Sequence, residues 1–232
     1  MRRKYSSGVY ENKRIIVFSP HPDDETLGCG GTIVKKLGEG YEIFVVVMTD
    51  GQHSHDHTFG IIDPSPVAIK KIRKEEFKEA MKTLGVKEAN SILLDFEDGK
   101  LAKNFTEAEE KIKSILSGIL PAEIYVTCRD DQKEDHECAF KIVCAGLNQV
   151  GISSTIYEYP IWSRKRDVTQ YNDKRIFVQD ITDQVTRKKA AINKYKSQIT
   201  IYSKKQRDPV LQESFVKMFL EKEVFFRSEQ LH

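Results

Sequence analysis

The sequence predicts one α/β domain spanning residues 1–232, Rossmann-like and three-layered, with a mostly parallel sheet. Three observations support this prediction. Short apolar segments rich in β-branched residues alternate with amphipathic helical patterns, which is the order of βαβ units. A chain of 232 residues is long enough to bury one sizeable core and has the length expected of one domain. No internal repeat divides the chain.

Each element is predicted from its local pattern. Short, mostly apolar segments predict strands at 14–18, 42–49, 91–96, 124–128, 155–159 and 175–178. Amphipathic periodicity predicts helices at 30–37, 67–84, 107–116, 135–148 and 183–196. The Gly, Pro, Ser, His and Asp content of 50–66 predicts an irregular segment, and 160–173 is predicted to be irregular as well. Loops of this length in a compact domain are usually functional or mobile.

Composition indicates an ordinary globular protein, with 31% charged and 39% hydrophobic residues. A net charge of +2 argues neither for nor against nucleic acid, and we expect no nucleic-acid partner. Apolar stretches such as 43–48 are far shorter than the ~20 residues of a membrane span, so we expect none.

The N-terminal residues and the cysteines indicate the compartment. "MRRKYSSGVYENKR" has a positive start but lacks the apolar segment of a signal peptide. The four cysteines include no CxxC pair and do not resemble a disulfide framework. We therefore expect reduced thiols and a cytoplasmic protein.

Histidines and acids follow the ends of several predicted strands. "IIVFSPHPDDETLGCGGTIV" at 15–34 ends a strand on His21, Asp23, Asp24 and Glu25, the second strand ends on Thr49 and Asp50, and Arg129 to His136 follow the fourth strand. In an open parallel sheet the carboxyl ends of the strands form the ligand-binding edge. Imidazole and carboxylate groups gathered there favour a bound cation, and zinc accepts both.

The spacing of these residues suggests three zinc ligands. His21 and Asp24 lie three residues apart at a strand-to-helix turn, and His136 would reach them from across the sheet. Three protein ligands plus water is the pattern of catalytic zinc, because structural zinc sites are closed by four ligands.

The segment "PHPDDETLGCGGT" at 20–32 resembles the defining motif of the PIG-L/LmbE-like zinc N-deacetylases, which remove acetyl groups from substrates that contain N-acetylglucosamine. Supporting similarities are "TDGQ" at 49–52, "RKEEFKEAMKTLGV" at 73–86, "YEYPIW" at 157–162 and "KKAAINKYKSQ" at 188–198. The resemblance implies that His21, Asp24 and His136 bind Zn2+ and that Asp23 is the general base. It also implies a small-molecule N-acetylated sugar as the substrate.

The residue types suit this chemistry. Zinc lowers the pKa of bound water to about 7 and polarises a carbonyl oxygen. Asp23 would take the proton of the attacking water and return it to the departing amine. The products would be acetate and a free amino sugar.

One position departs from the family pattern. The second motif of the family reads Asp-x-His-x-Asp-His, whereas this chain has "DQKEDH" at 131–136, with Lys133 at the first histidine. We expect the Lys133 ammonium to face the oxyanion and Asp135 to orient its neighbours. Because zinc would not depend on Lys133, a catalytically silent zinc-binding relative remains an alternative.

Arg73, Asp131, Tyr159 and Trp162 are the predicted substrate contacts. Three of these residues also have a structural alternative. Arg73 could pair with Glu76 on the helix surface, and Tyr159 and Trp162 could be packing residues.

Two further features have competing interpretations. The tract "HSHDH" at 53–57 is predicted to be a solvated loop over the site, although its histidines could bind metal adventitiously. Gly28, Gly30 and Gly31 open the predicted helix after the first strand, so a metal-dependent nucleotide- or phosphate-binding module is a second alternative. The sequence does not specify an oligomeric state or the conjugate attached to the sugar.

Overall fold

The computed structural model describes residues 12–163 and 175–228, and seven strands of these residues form one sheet. The strands are β1 (Arg14–Ser19), β2 (Glu42–Thr49), β3 (Ser91–Phe96), β4 (Glu123–Thr127), β5 (Thr155–Tyr159), β6 (Ile176–Asp180) and β7 (Lys222–Arg227). Their order is β3-β2-β1-β4-β5-β7-β6. β1 to β5 pair in parallel, whereas β7 is antiparallel to both β5 and β6.

Helices cover both faces of the sheet. They are α1 (Asp24–Gly38), α2 (Asp56–Phe59), α3 (Pro66–Leu84), α4 (Phe105–Ile119), α5 (Glu134–Val150), α6 (Val185–Ile192), α7 (Lys196–Ile199) and α8 (Glu213–Lys217). Successive side chains of β1 point to opposite faces. Ile15 and Val17 join the core formed with α1, α3 and α6, whereas Ile16 and Phe18 join the core formed with α4 and α5. The predicted three-layer α/β class is confirmed.

The first helix begins earlier than predicted. α1 starts at Asp24 rather than at residue 30, so Gly28, Gly30 and Gly31 lie inside the helix. A Cβ added at Gly28 would lie 2.2 Å from a ring carbon of Tyr159, and one at Gly31 would lie 2.5 Å from the Ile181 side chain. The glycines therefore allow α1 to pack closely on β5 and on the chain after β6. The structure contradicts the interpretation of these glycines as a phosphate-binding loop.

Strand β7 was not predicted. Its sequence, KEVFFR, places only three apolar residues between charged ends. It forms because Glu223 is buried and accepts hydrogen bonds from the backbone N–H groups of Gly31 and Thr32 at 2.7 and 2.8 Å. Lys188 Nζ, also buried, lies 2.6 Å from the same carboxylate. The local sequence around β7 does not indicate the partners of Glu223, because they are distant in the chain.

Other boundaries differ by a few residues. α6 ends at Ile192, and a separate short helix α7 follows where one helix to 196 was predicted. β6 runs to Asp180 rather than 178. The predicted irregular segment at 50–66 contains the short α2. In the second predicted irregular segment, residues 160–163 are irregular and 164–173 lie outside the described residues.

The four cysteines are buried and form no disulfide. Among the described residues, no helix combines the length and the apolar character required to cross a membrane.

Candidate metal centre

The turn after β1 places two acids and a histidine against the ends of β2, β3 and β4. Its conformation is unusual at Asp23, whose φ of 127° is rarely adopted by a residue with a side chain. The Asp23 N–H donates to Glu25 Oε2 at 3.1 Å, and the buried Glu25 also accepts hydrogen bonds from Tyr195 and Thr26. Glu25 thus holds a strained turn, and such strain is concentrated at functional sites.

Three potential ligand atoms form an almost equilateral triangle. His21 Nδ1 lies 3.2 Å from Asp24 Oδ2, and His136 Nε2 lies 3.2 Å from each of these two atoms. Tetrahedral ligands about 2.0–2.1 Å from zinc would be separated by roughly 3.3 Å. The three residues therefore fit a zinc ion.

The outer nitrogen of each histidine has a carboxylate partner. His21 Nε2 lies 3.1 Å from Asp98 Oδ1 and 3.4 Å from Asp135 Oδ2. His136 Nδ1 lies 2.8 Å from Asp131 Oδ2. When each outer nitrogen shares a proton with its carboxylate, the inner nitrogens, His21 Nδ1 and His136 Nε2, keep their lone pairs. These two nitrogens are corners of the triangle, so their lone pairs are available to a metal there.

Charge distribution in the centre favours a cation. Burial opposes the charged form of His21, but the carboxylates of Asp98, Asp135 and Asp24 raise its pKa well above the usual value. Burial likewise opposes protonation of His136, whose pKa is nevertheless raised by Asp24 and Asp131. The two imidazoles hold the pKa of Asp24 far below its usual value against the opposite effect of burial. Negative charge therefore dominates the centre, which favours a bound cation.

Asp23 lies beside the triangle and pairs with a buried arginine. Arg73 donates from Nη2 to Asp23 Oδ2 at 2.9 Å and from Nη1 to the Gly51 carbonyl at 3.0 Å, and it also donates to the Pro22 carbonyl. Burial raises the pKa of Asp23 to about 8, with Arg73 opposing the rise and Asp24 adding to it. A cation in the triangle would lower this pKa, so the carboxylate would be ready to accept a proton.

The surface-pair interpretation of Arg73 is wrong. Arg73 is 3% exposed, and Glu76 instead accepts hydrogen bonds from the N–H and hydroxyl of Ser197 at 2.7 and 2.6 Å.

A cavity of about 460 Å³ opens above the centre, a size typical of small-ligand sites. Its wall carries predicted site residues from four regions, namely His21, Asp23, Asp24, Arg73, Lys133, Asp135 and Trp162. Lys133 Nζ lies 4.9 Å from the centre of the Trp162 ring, within cation–π range. The Trp162 ring also stacks with Phe215 at a centroid distance of 5.1 Å.

Two predicted substrate contacts lie away from this cavity. Tyr159 is fully buried and donates its hydroxyl proton to the Phe18 carbonyl at 2.7 Å, consistent with the packing alternative. Asp131 is also fully buried, and besides His136 it accepts hydrogen bonds from the N–H groups of Ile161 and Ser163. This position corrects the expectation of substrate contact: Asp131 orients the His136 ring and the segment after β5.

Sequence reasoning missed Asp98. This residue follows β3 by two positions and is nearly buried, with one oxygen on His21 Nε2 and the other accepting the His53 N–H at 3.0 Å. The rule that located the other residues would have found it, because Asp98 also lies at the carboxyl end of a parallel strand.

The His-rich tract is less solvated than expected. His55 is 1% exposed, whereas His53 and His57 line the cavity near its mouth.

A family model described as "PIG-L: GlcNAc-PI de-N-acetylase" matches residues 16–146, which include all three residues of the triangle. The chain belongs to the PIG-L family. It shares 28% identity over 152 residues with the Escherichia coli protein "Uncharacterized deacetylase YaiS", covering 62% of this chain and 75% of that one. It shares 36% identity over 89 residues with the diacetylchitobiose deacetylase of Thermococcus kodakarensis, or 38% of this chain and 31% of that one. These findings place this PIG-L protein among deacetylases.

Solved structures share the fold of this PIG-L protein. The N,N'-diacetylchitobiose deacetylase of Pyrococcus horikoshii superposes with a TM-score of 0.71 at 24% identity, covering 95% of this chain and 85% of that one. The 4-carboxy-2-hydroxymuconate hydratase GalB of Pseudomonas putida superposes with a TM-score of 0.72 at 16% identity, covering 95% of this chain and 100% of that one. Since the same architecture carries a hydratase, the fold alone does not select the reaction.

Proposed function

We propose that this protein is a zinc-dependent hydrolase that removes the acetyl group from an N-acetylated amino sugar and releases acetate. The observation that carries the proposal is the triangle of His21 Nδ1, Asp24 Oδ2 and His136 Nε2, with sides of 3.2 Å, at the base of a cavity. Membership of the PIG-L family supports the same chemistry.

The donor set favours zinc over the hard cations. Zinc accepts two imidazoles and one carboxylate at tetrahedral spacing, whereas magnesium prefers an octahedral shell of oxygen ligands. When bound, zinc supplies a Lewis acid that makes water more acidic and polarises the amide carbonyl.

Asp23 is placed to move the protons. Its carboxylate lies beside the ligand residue Asp24, and Arg73 holds one of its oxygens at 2.9 Å. Asp23 takes the proton of the attacking water, and in its protonated form returns that proton to the departing amine. The Arg73 contact fixes the direction from which the proton is taken, because a charge-assisted hydrogen bond restrains the carboxylate.

Lys133 supplies positive charge at the cavity wall. It precedes α5, lines the cavity and approaches the Trp162 ring. An ammonium group here would stabilise the negative charge that develops on the carbonyl oxygen. Trp162 lines the same cavity, and we propose that it contacts the substrate there.

The proposed substrate is defined by its reacting group, the N-acetyl group of an amino sugar. The relatives share deacetylation, and the Thermococcus kodakarensis protein is named for diacetylchitobiose. The cavity volume of about 460 Å³ suits a small sugar derivative. We propose an N-acetylglucosaminyl conjugate, acted on in the cytoplasm.

The test is acetate release by zinc-loaded protein from a panel of N-acetylglucosaminyl conjugates: free, nucleotide-linked, lipid-linked and thiol-linked. The matched control is D23N loaded with the same amount of zinc. Acetate release by the wild type alone supports the proposal. A zinc-loaded wild type that releases no acetate from any conjugate would favour the silent relative and overturn it.

A further inference from the structure

We propose that His53, Asp56 and His57 form a second transition-metal site, weaker than the first, at the mouth of the cavity. The inference goes beyond the proposed deacetylation and does not depend on it. It rests on the conformation of one turn, on a carboxylate beside that turn and on the charge around it.

The backbone brings the two imidazoles together. The His57 N–H donates to the His53 carbonyl at 3.0 Å, so the chain makes one helical turn between them. Their rings stack with centroids 4.6 Å apart and an interplanar angle of 13°. Two histidines four residues apart on one face of a helix are a spacing at which proteins bind zinc.

A carboxylate completes the donor set. Asp56 Oδ2 lies 2.8 Å from His53 Nδ1, and one donor atom from each of the three residues lies within 4.8 Å of the others. The donor atoms here are separated by up to 4.8 Å, compared with 3.2 Å in the first centre, and His57 is exposed. Binding must therefore draw the ligands together and order a surface side chain, which makes this site the weaker one.

The surroundings favour positive charge. Glu97 Oε1 lies 3.3 Å from His53 Nε2, and the His53 N–H donates to Asp98 Oδ2 at 3.0 Å. The His57 ring lies over Gly99, where an added Cβ would be 3.4 Å from His57 Cε1.

The position gives the site a consequence for access. His53 and His57 both line the cavity that contains the first centre. Asp98 contacts the His53 backbone with one oxygen and His21 Nε2 with the other. A cation bound by these residues would therefore lie in the wall of the same cavity as the first centre, with Asp98 in contact with both clusters.

The test counts zinc bound per chain by equilibrium dialysis at micromolar to millimolar free zinc. We expect the wild type to bind two zinc ions, one tightly and one weakly. The double variant H53Q/H57Q, and the exposed single variant H57Q, should keep only the tight ion. The variant H21A, altered in the first centre, should instead lose the tight ion and keep the weak one.

The matched control is H55Q, which changes a histidine of the same tract whose buried side chain is not part of the cluster. Circular dichroism would establish that each variant is folded, and H55Q should still bind two ions. A wild type that binds only one ion up to millimolar zinc overturns the proposal. A weak ion that persists in folded H57Q and H53Q/H57Q, or that is lost only in H55Q, overturns it equally.

Discussion

His21 and Asp98 are joined by a 3.1 Å contact between Nε2 and Oδ1, which links the turn after β1 to the loop after β3. A proton held on Nε2 by this contact would leave the other nitrogen of His21 available for a metal. We expect D98N to weaken zinc binding by about 10–100-fold, as typically follows loss of a carboxylate behind a ligand. The measurement is a zinc titration against a competing chelator.

The control for this prediction is E97Q. Glu97 precedes Asp98 but contacts Lys100 and His53 rather than a residue of the triangle. Its substitution should leave the affinity of the tight zinc unchanged. Equal affinity losses in D98N and E97Q would mean that general charge, and not the contact with His21, governs the site.

The three proposed ligands should be individually essential. H21A, D24A and H136A each remove one corner of the 3.2 Å triangle, so each should abolish tight zinc binding. The triple variant H53A/H55A/H57A should retain one tight zinc, because none of its residues belongs to the triangle. Metal analysis after dialysis against a weak chelator distinguishes the two sets. If only the triple variant lost the tight zinc, the tight ion would be bound by the His-rich tract and the ligand assignment would be wrong.

Asp23 should be needed for turnover but not for zinc. The amide of D23N can still accept the Arg73 hydrogen bond, so the turn should be retained, but it cannot take a proton. We expect the rate to fall by about 10²–10⁴-fold at unchanged zinc content. D130N provides the control, since it makes the same chemical change at an exposed acid. Loss of zinc in D23N would show instead that Asp23 organises the ligands.

Lys133 offers a test of the departure from the family motif. If its ammonium faces the oxyanion, K133A should lower the rate by about 10²–10³-fold with zinc unchanged. K133H should restore the rate, because imidazolium is also cationic, and should add an ionisation near the usual histidine pKa of about 6.5. The measurement is a pH–rate profile of the three proteins. Identical rates and profiles would remove Lys133 from the mechanism.

Zinc binding should depend steeply on pH. The carboxylates around His21 and His136 raise both pKa values despite burial, so in the metal-free protein both imidazoles carry protons at about pH 6. Zinc must displace these protons, and its affinity should therefore rise with pH by up to about 100-fold per pH unit in acid. Titrations at several pH values, combined with calorimetry in buffers of different ionisation enthalpy, measure the protons released. An affinity independent of pH below about pH 6 would contradict the raised pKa values.

The sequence by itself determined the layered α/β class and the position of the residues that we propose as metal ligands. Both depend on local pattern: apolar segments alternate with amphipathic ones, and His21, Asp24 and His136 each follow a strand end. In a parallel sheet these ends share one edge, so closeness in space follows from position in the chain. Asp98 follows β3 and obeys the same rule, so its place beside His21 was also predictable from the sequence.

Only the tertiary structure decided which face each polar side chain presents and where several elements begin. Tyr159 and Asp131 lie near the centre, yet Tyr159 packs against Gly28 and Asp131 supports His136 from behind. The start of α1 and the existence of β7 depend on close packing and on a buried carboxylate. A buried charge is stable only with its partners in place, and Glu223 finds them in Thr32 and Lys188, residues 191 and 35 positions away. Local pattern carries no information about partners so remote, which is why these features appeared only in the folded chain.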